Sequence, residues 1–303
     1  MTISRRTALA AGVGAGALHT AMASAPQAIS LAAWSFSGSF FQGKWKLLEL
    51  PGILRDRLQI SNLEHVNQFF ENPTLSYLQR LKKACDDHGV RSTILMVDSE
   101  GSTASPEKAE RHLAAVAHRK WIDTAHYLGC ISVRCNVYGG AEDWKQDKDL
   151  VNRAAETMHE ILDYAKGSGL NLIVENHGRA SSDPDVLVAL VKKVDDPHFG
   201  LLCDLGNWNH GDDRYANSKK ILPYAKGLSV KGTWGAELDP AFDCEKLVKV
   251  ALDGGYSGFW GLEVTPRRVP GAAKLSAEEQ FENEVRTVLE AKAIVERVVL
   301  KKG

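Results

Sequence analysis

Residues 170–178 read Leu-Asn-Leu-Ile-Val-Glu-Asn-His-Gly, and this short stretch decides how we interpret the chain. Its first half is an apolar run, which is the pattern of a strand buried on both faces of a sheet. Glu175, Asn176 and His177 then follow in succession. A buried strand that ends in a carboxylate, an amide and an imidazole is costly unless those groups have partners. The stretch therefore predicts either a ligand site at a strand end or a polar turn into solvent.

The pattern of this stretch recurs along the chain, because short apolar runs alternate with amphipathic segments that carry helix caps. Strands are predicted at residues 29–36, 60–66, 91–97, 130–137, 170–175, 199–204, 227–231 and 259–264. Helices are predicted between or after them, at 44–58, 72–89, 105–129, 150–166, 183–194, 214–224, 243–253 and 276–299. Strict alternation implies a parallel sheet, and about eight such units favour a single-domain (β/α)8 TIM barrel. No glycine-rich dinucleotide fingerprint follows the first strand, which weakens the alternative of an open, doubly wound sheet.

The composition is that of an ordinary globular chain, with 44% apolar residues, 25% charged residues and a net charge of −1 over 303 residues. Such a balanced charge gives no support for a partner that is a nucleic acid or a membrane surface. The five cysteines form an odd set with no Cys-x-x-Cys pair. We expect them to be buried free thiols rather than a disulfide framework or a zinc site.

The N-terminal segment is predicted to be an export signal rather than part of the fold. Arg5 and Arg6 precede a stretch of small, apolar residues, and Ala-Ser-Ala at 23–25 offers a cleavage site. The paired arginines resemble the twin-arginine type of signal. We therefore expect a signal peptide over residues 1–25 and a periplasmic or otherwise exported barrel over residues 26–303.

The polar residues at the predicted strand ends form the candidate site, because the carboxyl ends of all barrel strands meet around one pocket. These residues are Glu64, His65, Asn136, Glu175, His177, Asp204, Asn207, Lys231 and Glu263. Acids that converge on one pocket raise one another's pKa unless a cation lies between them. An oxygen-rich cluster of this kind suits Mn²⁺, Mg²⁺ or Co²⁺. For each acid alone, the alternative is a strand-end charge paired with a neighbouring arginine or lysine.

Four segments at these strand ends resemble the sugar phosphate isomerase/epimerase family of xylose isomerase-like barrels. They are residues 174–177, 202–207, 225–231 and 258–263, and the likeness extends over nearly the whole mature chain. The resemblance implies that Glu175, Asp204 and Glu263 bind a divalent metal, with Mn²⁺ ahead of Mg²⁺ and Co²⁺. It also implies that Glu175 and Glu263 move protons on opposite faces of a bound sugar.

The chain departs from the family pattern on the seventh strand, where the family usually has His-apolar-Lys. The matching residues here are Ser229, Val230 and Lys231, so the metal-binding histidine is missing. His177 or a water could complete the metal site. Alternatively, the ammonium of Lys231 could replace the charge of the metal, which leaves a metal-free site open.

The expected activity is proton transfer next to the carbonyl of a sugar or sugar derivative. This reaction needs a base, an acid and a group that stabilises the developing enediolate. Glu175 and Glu263 would be the base and the acid, and the metal or Lys231 would hold the oxyanion. The residues expected to bind substrate are Glu64, His65, Asn136, His177 and Asn207. The same groups serve epimerisation, aldose–ketose isomerisation or β-elimination from a 3-keto-glycoside.

Two other classes of protein compete with this interpretation. An endonuclease IV-like relative needs several metal-binding histidines and a basic surface, and the chain has neither. A barrel that binds carbohydrate without catalysis would explain the missing histidine. The partners that we expect are a small sugar and neither a nucleic acid nor, once the signal is removed, a membrane. A homo-oligomer is left open.

Replacing both arginines of the signal, Arg5→Lys together with Arg6→Lys, should retain the protein in the cytoplasm, because the arginine pair is the export address. Cell fractionation followed by immunoblotting measures this, with the unaltered chain as the control. A double variant that still reaches the periplasm would indicate a general secretory signal instead.

Overall fold

Eight parallel strands close into a barrel in the computed structural model of the chain, which describes residues 28–140, 144–209, 211–232, 242–264 and 274–300. The strands are β1 (Ile29–Ala32), β2 (Asn62–Val66), β3 (Arg91–Met96), β4 (Ser132–Cys135), β5 (Asn171–Glu175), β6 (Phe199–Asp204), β7 (Ala225–Val230) and β8 (Trp260–Leu262). Each strand pairs with the next, and β1 closes the ring on β8, where Ser30 lies opposite Gly261. The predicted TIM barrel is confirmed. The predicted signal, residues 1–25, lies outside the described residues.

The helices follow the strands along the chain. They are α1 (Ser37–Phe41), α2 (Leu50–Ile53), α3 (Leu75–Asp87), α4 (Lys108–Leu128), α5 (Leu150–Ala165), α6 (Pro184–Val194), α7 (Arg214–Ile221), α8 (Cys244–Asp253) and α9 (Ala277–Val298). The capping box predicted for the last helix is present, since Ser276 and Glu279 bond to each other's backbone N–H. None of the described helices is long and apolar enough to span a membrane.

The first strand is shorter than predicted, because Ala33–Phe36 form a 3-10 helix. The Ser35 hydroxyl donates to the carbonyl of Leu262 at 3.0 Å and accepts from the N–H of Val264 at 3.1 Å. These contacts join the end of β1 to the end of β8, more than two hundred residues away in the chain. The local apolar pattern carries no information about such a contact, so the prediction placed the strand end too late.

Predicted helix starts were also too early at several positions. The helix predicted from residue 72 begins at Leu75, where the side chain of Thr74 is the cap and accepts from the N–H of Tyr77. The helix predicted over 44–58, with Pro51-Gly52 as its weak point, begins only at Leu50 with α2, which has Pro51 in its first turn and continues into a π-helical turn at Leu54–Leu58. Proline fits a first turn because it has no N–H to donate, but it cannot continue a helix that began earlier.

The core lies between the barrel and the helices that cover it. Leu81 of α3, Met158 of α5, Leu187 of α6 and Val288 of α9 are all fully buried. All five cysteines are buried and free, as the sequence predicted. Burial of apolar area of this kind is the main favourable term in folding.

The pairing register brings the polar strand ends to one end of the barrel. Glu175 and Asp204 are the last residues of β5 and β6, and Lys231 and Glu263 directly follow β7 and β8. Asp204 lies opposite Ser229, which in turn lies opposite Gly261 on β8. The candidate residues from distant parts of the sequence are therefore neighbours in the folded chain.

Leu81→Ala should lower the free energy of unfolding by about 2–5 kcal/mol, because it removes a fully buried side chain and leaves a cavity. Leu75 begins the same helix and is 61% exposed, so Leu75→Ala should change stability by only about 0.5 kcal/mol. Chemical denaturation of both variants measures the difference. Equal losses of stability in the two variants would contradict the assignment of Leu81 to the buried face of α3 and of Leu75 to its exposed face.

Candidate active site

Three buried acids form a cluster at the carboxyl ends of the strands. One carboxylate oxygen from each of Glu175, Asp204 and Glu263 lies within 4.8 Å of the other two. The sequence predicted that these acids meet, and the barrel brings them together. Oxygens at this spacing could hold a metal ion. Unpaired charges so close together in a buried site would be strongly destabilising, so the cluster needs cations.

Lys231 supplies one of those cations. Its Nζ lies 2.7 Å from Asp204 Oδ2 and 2.5 Å from Glu263 Oε1, and the side chain is only 7% exposed. Burial acts to lower the pKa of Lys231, but Asp204, Glu263 and Glu175 outweigh it, and the net effect is a raised pKa. The lysine is therefore charged. It stands between two of the three acids to which the sequence assigned a metal.

Gly206 gives the lysine side chain its path to the cluster. A Cβ at position 206 would lie 2.6 Å from Cγ of Lys231 and 3.0 Å from its Cβ. Any side chain there would push the lysine stem away from the acids. The loop after β6 therefore needs a glycine at position 206 to leave room for the side chain of Lys231.

Arg134 supplies the second cation, and the sequence analysis missed it. Its Nε lies 3.0 Å from Glu175 Oε2, as an ion pair without the alignment of a hydrogen bond, and its Nη1 donates to Asp98 Oδ1 at 2.6 Å. Burial acts to raise the pKa of Asp98, but the charge of Arg134 more than offsets this, and the pKa of Asp98 is lowered. The signal that could have found the pair is a basic residue inside a predicted buried strand, 130–137, which required a buried acid as its partner.

Glu175 and Glu263 have opposite pKa shifts. Burial raises the pKa of Glu175 well above its usual value, with Glu263 and Asp204 adding to the rise and Arg134 opposing it. Burial also acts to raise the pKa of Glu263, but the charge and hydrogen bond of Lys231 prevail and lower it. Two neighbouring carboxyl groups with separated pKa values can serve as an acid and a base in one reaction.

Amide side chains and backbone N–H groups fix the orientation of these carboxylates. Asp204 Oδ1 accepts from the N–H of Gly206 at 2.7 Å and from that of Asn207 at 2.8 Å. Asn207 also donates from Nδ2 to Glu175 Oε1 at 3.1 Å. Asn176 bonds to the backbone N–H and carbonyl of Asp204, both at 2.8 Å. Asn207, predicted to bind substrate, therefore holds Glu175 and Asp204 in place.

A cavity of about 180 Å³ opens beside this cluster. It is lined by Trp34, Val66, Gln68, Asp98, Ser99, Arg134, Tyr138, His177 and Glu263. His177 and Glu263 are the predicted site residues among them. Burial and the charge of Arg134 lower the pKa of His177, which favours the neutral imidazole.

Asn136 belongs to the support of this cavity rather than to its lining. Its Nδ2 donates to Asp98 Oδ1 at 2.8 Å and to the hydroxyl oxygen of Tyr138 at 2.9 Å. Asp98 and Tyr138 both line the cavity, so Asn136, a predicted substrate-binding residue, orients two lining side chains. Trp34 is the tryptophan among the residues that line the cavity.

Glu64 and His65 do not line the cavity, although both were predicted to bind substrate. Glu64 is buried, accepts a hydrogen bond from Ser30, and covers Gly261, whose added Cβ would lie 2.6 Å from Glu64 Oε1. The ring of His65 bonds through Nε2 to the Ser92 hydroxyl at 2.8 Å. Burial lowers the pKa of His65 to about 4. Consecutive strand residues point to opposite faces, so the two side chains cannot share one pocket.

Comparison with protein families identifies the class of this barrel. Residues 60–290 match the xylose isomerase-like TIM barrel family, and the chain therefore belongs to that family. A comparison with curated protein sequences found no match.

Solved structures share the fold at low sequence identity. L-ribulose 3-epimerase aligns with a TM-score of 0.70 and 16% identity over 90% of this chain and 94% of its own. D-allulose 3-epimerase from Methylomonas sp., in complex with D-allulose, aligns with a TM-score of 0.70 and 13% identity, covering 90% and 98%. The apo form of 3-keto-D-glucoside 4-epimerase from E. coli aligns with a TM-score of 0.62 and 10% identity, over 80% of this chain and 94% of its own. At such identities the likeness concerns the fold.

Glu64→Gln should change how stability depends on pH. Burial raises the pKa of Glu64 from 4.5 to about 7, so between these values the folded state binds more proton than the unfolded state. Stability from this group is present below pH 4.5 and is lost as the pH rises through about 7. As the pH rises from 5 to 8, the free energy of unfolding of the variant should therefore increase relative to that of the wild type by roughly 1–3 kcal/mol.

Denaturant unfolding at several pH values measures this gain. Glu290→Gln, at an exposed position on α9, is the control, and its free energy of unfolding should change with pH as that of the wild type does. If the stability of Glu64→Gln also changes with pH as that of the wild type does, Glu64 is not protonated in the folded protein.

Proposed function

We propose that this protein is a sugar isomerase or epimerase that moves a proton on the carbon next to a carbonyl. The observation that carries the proposal is the meeting of two buried glutamates, Glu175 and Glu263, in one acid cluster beside the cavity that Glu263 lines. Proton transfer at such a carbon needs a base that is ionised and an acid that is neutral at the same pH. Membership of the xylose isomerase-like family agrees with this chemistry.

Glu263 is the base in the proposed reaction. It lines the cavity, and Lys231 engages its Oε1, which leaves Oε2 without a hydrogen-bond partner among the described residues. The carboxylate of Glu263 takes the proton from the substrate carbon, and the electron pair of the C–H bond moves into the enediolate. The lowered pKa of Glu263 keeps the carboxylate ionised for that step.

Glu175 is the acid in the proposed reaction. Its raised pKa favours the protonated form, and Arg134 and Asn207 hold its two oxygens. Delivery of its proton to the opposite face of the same carbon gives the epimer. Delivery to the neighbouring carbon gives the isomer once the hydroxyl proton has passed from one enediol oxygen to the other. The proton on Glu263 then returns to Glu175 by exchange through solvent, which restores the starting state.

The developing oxyanion needs a positive charge, and Arg134 provides one that lines the cavity. The sequence suggested a divalent metal, with Mn²⁺ first, held by Glu175, Asp204 and Glu263. Such an ion would supply Lewis-acid stabilisation of the oxyanion. The residues as they stand do not fit a metal bound by all three acids, because Lys231 is in contact with two of them. The Mn²⁺ site stays a prediction, and no step is assigned to it.

The substrate is proposed to be a small sugar. The solved neighbours include epimerases of L-ribulose and D-allulose, and one of 3-keto-D-glucoside. Trp34 lines the cavity, where its ring can stack on a sugar, and His177 offers a hydrogen-bonding imidazole beside it. Elimination from a 3-keto-glycoside begins with the same proton abstraction and is the second candidate, favoured by the likeness to the 3-keto-D-glucoside 4-epimerase. We propose the periplasm as the location, because of the predicted signal.

Glu175→Gln and Glu263→Gln should each cut turnover by roughly 10²-fold or more, because glutamine keeps the shape of the side chain but cannot transfer the proton. The measurement is NMR of L-ribulose, D-allulose and 3-keto-D-glucoside in D₂O, where the wild type should place deuterium next to the carbonyl. Thermal unfolding of the variants checks that they fold, and the exposed Glu290→Gln is the matched control.

Full activity of both glutamine variants would make these glutamates structural and end the proposal. Binding of a sugar by the wild type with neither exchange nor turnover would favour the non-catalytic carbohydrate-binding barrel.

A further inference from the structure

We infer that the ammonium of Lys231 is the resident cation of the acid cluster and takes the place that a divalent metal would occupy. The cluster then works without a metal, and the guanidinium of Arg134, which lines the cavity, is the cation that meets the substrate. The role of Arg134 toward the substrate rests on the proposed function. The role of Lys231 concerns only the folded protein, and it can be tested without any substrate.

The first argument is that the ammonium and a metal ion compete for the same oxygens. Nζ of Lys231 lies 2.7 Å from Asp204 Oδ2 and 2.5 Å from Glu263 Oε1. A divalent cation bound to carboxylate oxygens lies at about 2.0–2.2 Å from each of them. An ion bound to this pair of oxygens would overlap the ammonium and be repelled by its charge. Lys231 must leave before such an ion can bind.

The second argument is that Asp204 has no other oxygen to offer. Its Oδ1 already accepts two backbone hydrogen bonds, from Gly206 at 2.7 Å and from Asn207 at 2.8 Å. The oxygen that remains for a cation is Oδ2, which is the one that Lys231 contacts. A metal that used all three acids would have to displace the lysine from Asp204 or break the turn after β6.

The third argument is that the backbone is built around the lysine stem. The stem passes directly over Gly206, at a distance that leaves no room for a Cβ. Gly206 is also one of the two residues whose N–H groups hold Asp204. The same glycine therefore orients the acid and admits the lysine that neutralises it.

Ser229 agrees with this assignment. It lies on β7 opposite Asp204 and Gly261, two residues before Lys231, and its hydroxyl is buried without a hydrogen-bond partner among the described residues. A neutral hydroxyl is a much weaker metal ligand than an imidazole or a carboxylate. Strand β7 thus contributes a positive charge to the cluster and no strong metal ligand.

Removal of the lysine head should create a metal site. In Lys231→Met the stem is kept and the charge is lost, so the acid oxygens that Lys231 contacted become available to another cation. Calorimetric titration of the EDTA-treated protein with Mn²⁺ should show one site in this variant, tighter than any in the wild type by about tenfold or more. Mn²⁺ should also raise the melting temperature of the variant and leave that of the wild type unchanged.

Lys226→Met is the matched control. Lys226 lies on β7, the strand that Lys231 directly follows, and is half-buried. Its stem also passes over a glycine, Gly200, with its Cδ 2.6 Å from where a Cβ would stand. Its charge is not part of the acid cluster, so its loss should create no Mn²⁺ site. Adding Asp204→Asn to Lys231→Met should abolish the new site, which locates the ion among the acids.

Several outcomes would overturn the inference. One is stoichiometric Mn²⁺ binding by the wild type that Asp204→Asn removes, since a metal would then coexist with the lysine. Another is a folded Lys231→Met that binds no Mn²⁺, because the cluster would then not be a cation site. If that variant does not fold, Lys231→Gln is titrated in its place, and the wild-type titration decides by itself whether a metal is resident.

These measurements separate the inference from the proposed function. The titrations involve no sugar, so they stand even if no substrate is turned over. If a sugar is turned over, the rate should be unchanged after EDTA treatment. Full loss of activity with EDTA, restored by Mn²⁺, would overturn the inference and leave the proton-transfer proposal intact.

Discussion

The neutralisation of buried acids at one end of the barrel is the constraint on which the site depends. Glu175, Asp204 and Glu263 meet there, and their mutual repulsion in a buried environment would be severe without cations. Two basic residues supply the positive charge, and each of them contacts two acids. Lys231 joins Asp204 to Glu263, and Arg134 joins Glu175 to Asp98.

This division of charge sets the protonation of the two glutamates. Burial acts to raise the pKa of both glutamates, but the charge and hydrogen bond of Lys231 lower that of Glu263, whereas the pKa of Glu175 stays raised in spite of the charge of Arg134. The ion pair of Lys231 with Glu263 thus both stabilises the buried cluster and separates a base from an acid. Structural and chemical roles are carried by the same contacts.

The backbone is adapted to the cluster at the turn after β6. Gly206 and Asn207 bind Asp204 through their N–H groups, and Asn176 from the neighbouring strand holds the backbone of Asp204. Of the three polar residues that end the opening stretch, Glu175 belongs to the cluster, Asn176 supports it, and His177 reaches the cavity. A short polar run can therefore fill three different roles because the chain leaves its strand at that point.

The sequence by itself determined the alternation of strands and helices, the closed barrel, and the acids that meet at its strand ends. Such features follow from local periodicity and from the rule that parallel strands end at the same side of a sheet. Lys231 was one of two cations that the sequence left open, whereas tertiary structure alone decided that Arg134 is the second cation and which polar residues face the cavity. Arg134 and Glu175 are far apart in the chain, so no local pattern links them. His65 points away because side chains alternate along a strand, and the pairing register, set by the whole barrel, decides which face is inside.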